Sequence, residues 1–366
     1  MSKDVVAIIG AGNGGQAAAA DLTRRGFEVR LYANSMGSPK MASLVENREI
    51  KYQGVLGEGV SKIAMVTDDL KKALGGVKYV FVAVPANGHL SYAKRLIPHL
   101  SDGQIVTIFA GNFGSLVFWK EMKAQGVKKS VFFAETYTMA YDARLNGTGD
   151  VQIMGTRKAL ITGVMPSKYT DEVIPQLQKF YPEMVGAKNV LDCGLYTLNP
   201  VAHVPGCVMS CARIENMKGE FHYYQEAFSP AVGRVTEAMD AERMAIMRKL
   251  GLSPITIVQA MSAAGSSGNN IYEVITSNKD WAKIKGPEGL RNRYFTEDFP
   301  FGAVPWACLG KAIGVPTPVM DSLINIGCWI MEENSWESGR NLAALGLEGM
   351  SLEQIQAYVE NGWYLS

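Results

Sequence analysis

His203 is the side chain around which chemistry could be built. It stands in "LYTLNPVAHVPGCVMSCARIE", Leu195 to Glu215, between Pro200 and Pro205, and is one of four histidines in 366 residues. Histidine is the side chain that most readily moves protons near neutral pH. Its surroundings leave three readings open: a packing residue, a metal ligand or a catalytic acid. Cys207 and Cys211 follow at steps of four, a spacing that on one helix face could ligate zinc. Pro205 and Gly206 interrupt that face and no fourth ligand stands nearby, so the thiols read as buried packing and no metal is expected.

A second group of residues has the spacing of a phosphate cradle. "VVAIIGAGNGGQAAAADLTRRGFEVRLYA" holds Gly10, Gly12 and Gly15, a G-x-G-x-x-G, with Asn13 and Gly14 inside it. The pattern alone is common in a chain with 38 glycines; its context gives it weight. Val5 to Ile9 is a continuous apolar run, as a strand buried on both faces would be. An alanine-rich helix follows and stops at Gly26, then a second strand runs from Glu28 to Ala33. In such a unit the first glycine permits the tight turn, the second lets backbone approach a pyrophosphate, and the third lets helix pack on strand. The phosphates would lie at the helix N-terminus, where unpaired N–H groups and the dipole favour an anion.

The end of the second strand bears on which dinucleotide binds. An Asp or Glu there commonly holds the ribose 2′-OH of NAD. This chain reads "LYANSMGSPK", with Asn34 and Ser35 where the acid would be and Lys40 beyond. No carboxylate repels a 2′-phosphate, so the expectation is NADP or NAD, with a lean to NADP.

The elements that would position these residues alternate strand and helix through the first half. "KYVFVAVPANGHL" reads as a strand ending at Pro85 and Ala86, with a helix opening over Asn87 to His89. "QIVTIFAGNFGSL" repeats the idea up to Asn112, and "SVFFAETYTMAY" is a further strand ending at Glu135 and Thr136. Ligands of a doubly wound sheet bind at the carboxyl ends of its strands, so Pro85, Ala86, Asn112 and Glu135 are candidates for the wall around the nicotinamide. Residues 151–164 read as a closing strand pair.

After Lys188 the pattern changes to helices. "EFHYYQEAFSPAVGRVTEAMDAERMAIMRKLG" carries Phe221, Tyr224, Phe228, Val232, Val235, Met239, Ile246 and Leu250 mainly at three- and four-residue steps. It reads as one long helix that Pro230 could kink, with more helices around 254–265, 299–313, 317–333 and 351–361. The expected fold is α/β: an N-terminal Rossmann-type doubly wound parallel sheet (residues 1–188), then an all-helical C-terminal domain (residues 189–366). Substrate would then sit in a cleft between the two. Tyr272, Trp281, Trp306 and Trp329 would either line it or pack.

Composition excludes several functions. With 36 Lys+Arg against 35 Asp+Glu, no basic stripe addresses nucleic acid or an anionic membrane. No apolar run approaches the roughly 18 residues of a membrane span. Five cysteines, an odd number in a chain this large, point to reduced thiols and a cytoplasmic setting.

Six stretches together resemble the opine dehydrogenases (the octopine/nopaline dehydrogenase family) over nearly the whole chain: "IIGAGNGGQAAAADL", "VAVPANGH", "FAGNFGSL", "FAETYTMAYDAR", "NPVAHVPG" and "RYFTEDFPFG". The resemblance implies that the amine of an amino acid and a 2-oxo acid condense to an imine, which NAD(P)H reduces to an N-(carboxyalkyl) amino acid. It also implies that His203, Arg293 and Asp298 are the catalytic set. The chemistry of these residues agrees. Reduction of C=O or C=N needs a proton donor beside the heteroatom, and a histidine oriented by a carboxylate supplies one. Arg293 offers a planar fork for a substrate carboxylate. Glu297 competes with Asp298 as the partner of His203.

Two other functions stay in view. A simple 2-oxo-acid or 2-hydroxy-acid dehydrogenase shares the plan, as ketopantoate reductase and glycerol-3-phosphate dehydrogenase do. Those relatives depend on a lysine at the start of the helical domain, and this chain has none between Lys188 and Lys218. A non-catalytic NAD(P)-binding sensor would make His203 incidental. The expected partners are small molecules, an amino acid and a 2-oxo acid, with homodimer formation left open.

Overall fold

The computed structural model describes residues 4–34 and 36–362. They divide into two compact units, one of residues 4–194 with 358–362 and one of residues 195–357.

The first unit has two sheets. Its strands are β1 (Val5–Ile9), β2 (Glu28–Tyr32), β3 (Glu49–Gly54), β4 (Gly59–Lys62), β5 (Met65–Thr67), β6 (Tyr79–Val82), β7 (Ile105–Ile108), β8 (Phe132–Thr136), β9 (Tyr141–Gly147), β10 (Asp150–Thr156), β11 (Leu160–Met165) and β12 (Met184–Gly186). The large sheet runs β12-β11-β8-β7-β6-β1-β2-β5. From β5 to β8 every pairing is parallel, and the strand order reverses between β1 and β6. That is the order of a dinucleotide fold, with its switch point beside the glycine turn. Val6 to Ile9 and Val80 to Val82 are sealed from solvent, as the unbroken apolar runs require of strands covered on both faces.

The small sheet, β4-β3-β10-β9, corrects the expected closing pair at 151–164. β10 joins this second sheet, whereas β11 joins the large one, antiparallel to β8. The burial patterns explain the split. Val151 and Ile153 are buried while Met154 is half exposed, the alternation of a sheet with one wet face. β11 is buried almost throughout. Helix α1 (Asn13–Arg24) packs against strands of both sheets. Its run Ala17 to Ala20 has no exposed surface, and small side chains there let it sit close to its neighbours.

The second unit is helical, and the Asn199–Met209 helix lies at its centre. Residues 200–208 of that helix are buried on every side, against Pro230–Lys249, Arg293–Thr296 and Pro318–Met331. An apolar helix without a polar stripe belongs in such a place. The long helix expected over 220–250 is instead two: Tyr223–Glu226 and Pro230–Lys249. Pro230 starts the second rather than kinking one. It needs no intrahelical N–H partner in the first turn, and the Ser229 hydroxyl caps Val232 N at 3.3 Å. Among the described residues no helix is long and apolar enough to cross a membrane.

Candidate active site

The glycine turn has the backbone its spacing demands. Gly10 has φ +110°, and a Cβ there would stand 2.5 Å from the Ala83 carbonyl oxygen. A Cβ on Gly15 would lie 1.8 Å from the oxygen of Gly10, so only glycine lets α1 approach β1 this closely. Gly12 differs: nothing lies within 4 Å of its missing Cβ. The α1 N-terminus carries no side-chain cap and no acidic residue in its first turn. An open approach to uncapped helix N–H groups fits a pyrophosphate. Around it, Gly14 meets the Met139 side chain, and Asn13 Oδ1 accepts from Leu145 N at 3.2 Å, tying α1 to β9.

At the other strand ends the expected residues have different duties. Asn34 sits in a polar cluster with Tyr32, Tyr92 and Arg95. Ser35 lies outside the described residues. Pro85 caps the short turn Ala86–Gly88, and Ala86 is buried. Asn112 stands in a turn where Ala110, Asn112 and Phe113 all have positive φ, at +51°, +47° and +64°. Non-glycine residues in that region are strained, and such strain persists only where neighbours over-determine it. Glu135 does so. Its carboxylate accepts from Phe113 N at 2.9 Å, Ser115 N at 2.8 Å and Ser115 Oγ at 2.6 Å, and it has no exposed surface. Glu135, expected at the nicotinamide wall, holds the turn that carries Asn112.

In the helical unit three separate segments meet on one imidazole. His203 is on the central helix, which starts with Pro200 in its first turn and contains Pro205. After Asp298 the chain makes one π-helical turn, Phe299–Ala303, a form that recurs at functional sites. A Cβ on Gly302 would stand 2.3 Å from Pro200 Cγ, so glycine lets this turn close on the helix that bears His203. Asp298 Oδ2 then lies 2.7 Å from His203 Nδ1. The other ring nitrogen, Nε2, is 2.8 Å from the Tyr224 hydroxyl. Tyr294 stacks on the imidazole with ring centroids 3.7 Å apart, and Trp281 packs on Tyr224 at 4.5 Å.

This pocket is dry. His203 and Asp298 are each 6% exposed. Burial raises the Asp298 carboxyl above the ordinary aspartate range, and the adjoining His203 pulls it the other way. Burial likewise lifts the Tyr224 hydroxyl well above the usual phenol range, with Tyr294 adding to it. Arg293 and Glu297 form a separate pair, Nε to Oε2 at 2.6 Å. The Arg293 side chain is 70% exposed; partial desolvation lowers the guanidinium's proton affinity, Glu297 outweighs it and the net shift is upward. The choice left open between Glu297 and Asp298 is thus resolved in geometry: Asp298 meets His203 and Glu297 meets Arg293.

Sequence reasoning missed Tyr224 and Tyr294 as neighbours of His203. Their signal was present but unspecific: a buried tyrosine hydroxyl needs a partner. Cys207 Sγ lies 3.4 Å from the Tyr223 hydroxyl, and Cys211 begins a different helix, Cys211–Met217. Trp306 is core and Trp329 is 86% exposed.

Comparison with known proteins follows the same division. Residues 5–115 match the family model of the NAD-dependent glycerol-3-phosphate dehydrogenase N-terminus. Residues 186–331 match that of NAD/NADP octopine/nopaline dehydrogenase, α-helical domain. The fold and these matches define the class, an NAD(P)-dependent oxidoreductase. Along its length the chain is opine-dehydrogenase-like. An opine dehydrogenase of Arthrobacter sp. (strain 1C) is 29% identical over 361 residues, 98% of this chain and 100% of the relative. The solved structure of octopine dehydrogenase with NADH and L-arginine has the same fold, with TM-score 0.78, 20% identity and 98% of both chains covered. Yersinopine dehydrogenase with NADP+ bound also shares it, with TM-score 0.70, 15% identity and 99% of both chains covered.

Proposed function

We propose that this protein joins an amino acid to a 2-oxo acid such as pyruvate by reductive condensation, giving an N-(carboxyalkyl) amino acid, and also catalyses the reverse oxidation. The observation that carries this reading is the buried Asp298–His203 pair on an opine-dehydrogenase-like chain. The nicotinamide, when bound, supplies the hydride. Gly10, Gly12, Gly15 and the first amides of α1 bind its pyrophosphate. The unit of residues 4–194 with 358–362 serves as the dinucleotide domain and that of residues 195–357 as the substrate domain.

His203 is the acid/base. Asp298 holds Nδ1, which fixes the tautomer and stabilises the imidazolium. Nε2 is then the atom that exchanges a proton with the substrate nitrogen or with the oxygen lost on condensation. In the structure Tyr224 hydroxyl holds Nε2, so a substrate heteroatom takes the place of that hydroxyl. Burial makes a charge on Asp298 costly, and the adjoining His203 opposes that cost. Arg293, fixed through Nε by Glu297, presents its two terminal nitrogens as a fork for a substrate carboxylate.

None of the five cysteines is in a disulfide, which supports a cytoplasmic setting. Exposed Ile326 and Trp329 on one helix support pairing of two copies, which light scattering would read. Product analysis tests the reaction itself. Mass spectrometry should find a secondary amine with the summed mass of both substrates less one oxygen atom. A 2-hydroxy acid alone would instead mark a simple dehydrogenase.

A further inference from the structure

We propose that Arg95 selects NADPH over NADH by receiving the adenosine 2′-phosphate at the end of β2. This rests on the dinucleotide site assigned above. Gly10 N donates to Tyr32 O at 3.0 Å, so the end of β2 is aligned with the glycine turn. The ribose of a dinucleotide lying along that turn reaches the residues just after the strand, here Asn34 and its neighbours.

Arg95 arrives from elsewhere in the chain. It sits on the His89–Leu96 helix, and its Nη1 donates to Asn34 Oδ1 at 2.8 Å. Its Nη2 donates to the Tyr32 hydroxyl. The same Asn34 oxygen accepts from Tyr32 OH at 2.6 Å, while Asn34 Nδ2 donates to Tyr92 OH at 2.8 Å. The guanidinium carbon lies 5.7 Å from the Tyr32 ring centroid and 5.6 Å from that of Tyr92. The result is an arginine held in place by neutral groups alone: an amide oxygen, a phenol and two ring faces.

Its charge is the informative part. The two hydrogen bonds use two of five N–H groups, and neither partner carries an opposing charge. An exposed guanidinium oriented by neutral hydrogen-bond partners suits planar recognition of a phosphate. Arg95 also borders a cavity of about 450 Å³ whose walls include Lys94 and His99 together with Asp68 and Asp69. A carboxylate at position 34 would pair with this same arginine and present negative charge to the ribose. Asn34 keeps the position neutral and orients the cation.

Binding measurements test this without turnover. NADPH and NADH are titrated into the wild type, Arg95→Ala, Arg95→Lys and Asn34→Asp, following reduced-nicotinamide fluorescence, with circular dichroism as the check on folding. The wild type should bind NADPH at least about tenfold more tightly than NADH. Arg95→Ala should weaken NADPH by about 10- to 100-fold, the range for losing a charge-assisted contact, and NADH by less than about threefold. Arg95→Lys should retain part of the preference, and Asn34→Asp should reverse it. Equal affinities in the wild type, or equal weakening of both nucleotides by Arg95→Ala, would overturn the assignment. Failure of the folded wild type to bind either nucleotide would remove the dinucleotide reading as well.

Discussion

Glu135 and Asp298 are both carboxylates sealed from water, and they are used in opposite ways. Glu135 is held by two backbone amides and a serine hydroxyl, donors that do not titrate. It pins a turn with three positive-φ residues, and its chemistry is static. Asp298 faces the His203 imidazole at 2.7 Å, a group able to take up or give a proton. In the function proposed here the difference separates a scaffold from a reaction centre: the first needs a carboxylate with fixed donors, the second a carboxylate against a movable proton.

Substitutions should pull the two apart. His203→Ala should lower kcat by on the order of 10²–10⁴ while leaving nucleotide affinity in place. Asp298→Asn should act on the same scale, because the wrong tautomer then faces Nδ1. Its pH dependence has a definite sign. The folded carboxyl is raised by burial, so the folded state holds that proton more tightly than the unfolded chain. Relative to Asp298→Asn, the wild type should be favoured at acid pH and lose that advantage as pH rises through the raised value, read by urea unfolding across pH.

Glu135→Ala should cost stability instead, about 3 kcal/mol, by leaving Phe113 N, Ser115 N and Ser115 Oγ without their acceptor. Denaturant titration reads that loss. A catalytic defect in a variant of full stability would contradict the scaffold role. Tyr224→Phe should have the smallest effect, less than about tenfold on kcat/KM, since one neutral hydrogen bond to Nε2 is removed. A loss matching that of His203→Ala would make the Tyr224 hydroxyl part of the proton path.

The same contrast explains what could be read from the chain. The nucleotide-type turn is made of backbone, and backbone needs appear as residue types at fixed spacing, as with Gly10 and Gly15. The parallel strands were legible for a related reason, since runs such as Val5 to Ile9 admit no wet face. The small sheet was not, because β3 and β10 pair across about a hundred residues and nothing local in either names the other. The His203 pocket is made of side chains from three segments. The histidine and "RYFTEDFPFG" stood out, but the contribution of Tyr224 depends on the break between Glu226 and Pro230 that divides two helices. Arg95 was invisible for the same reason: its partner Asn34 is 61 positions away.

The central claim is that hydride transfer here requires two organic substrates. Absorbance at the reduced-nicotinamide band tests it most directly, with NADPH and NADH offered separately against pyruvate and other 2-oxo acids, each with and without a panel of amino acids. The account predicts oxidation only when an oxo acid and an amino acid are both present, and its near-abolition in His203→Ala. Equal oxidation with the oxo acid alone would contradict it.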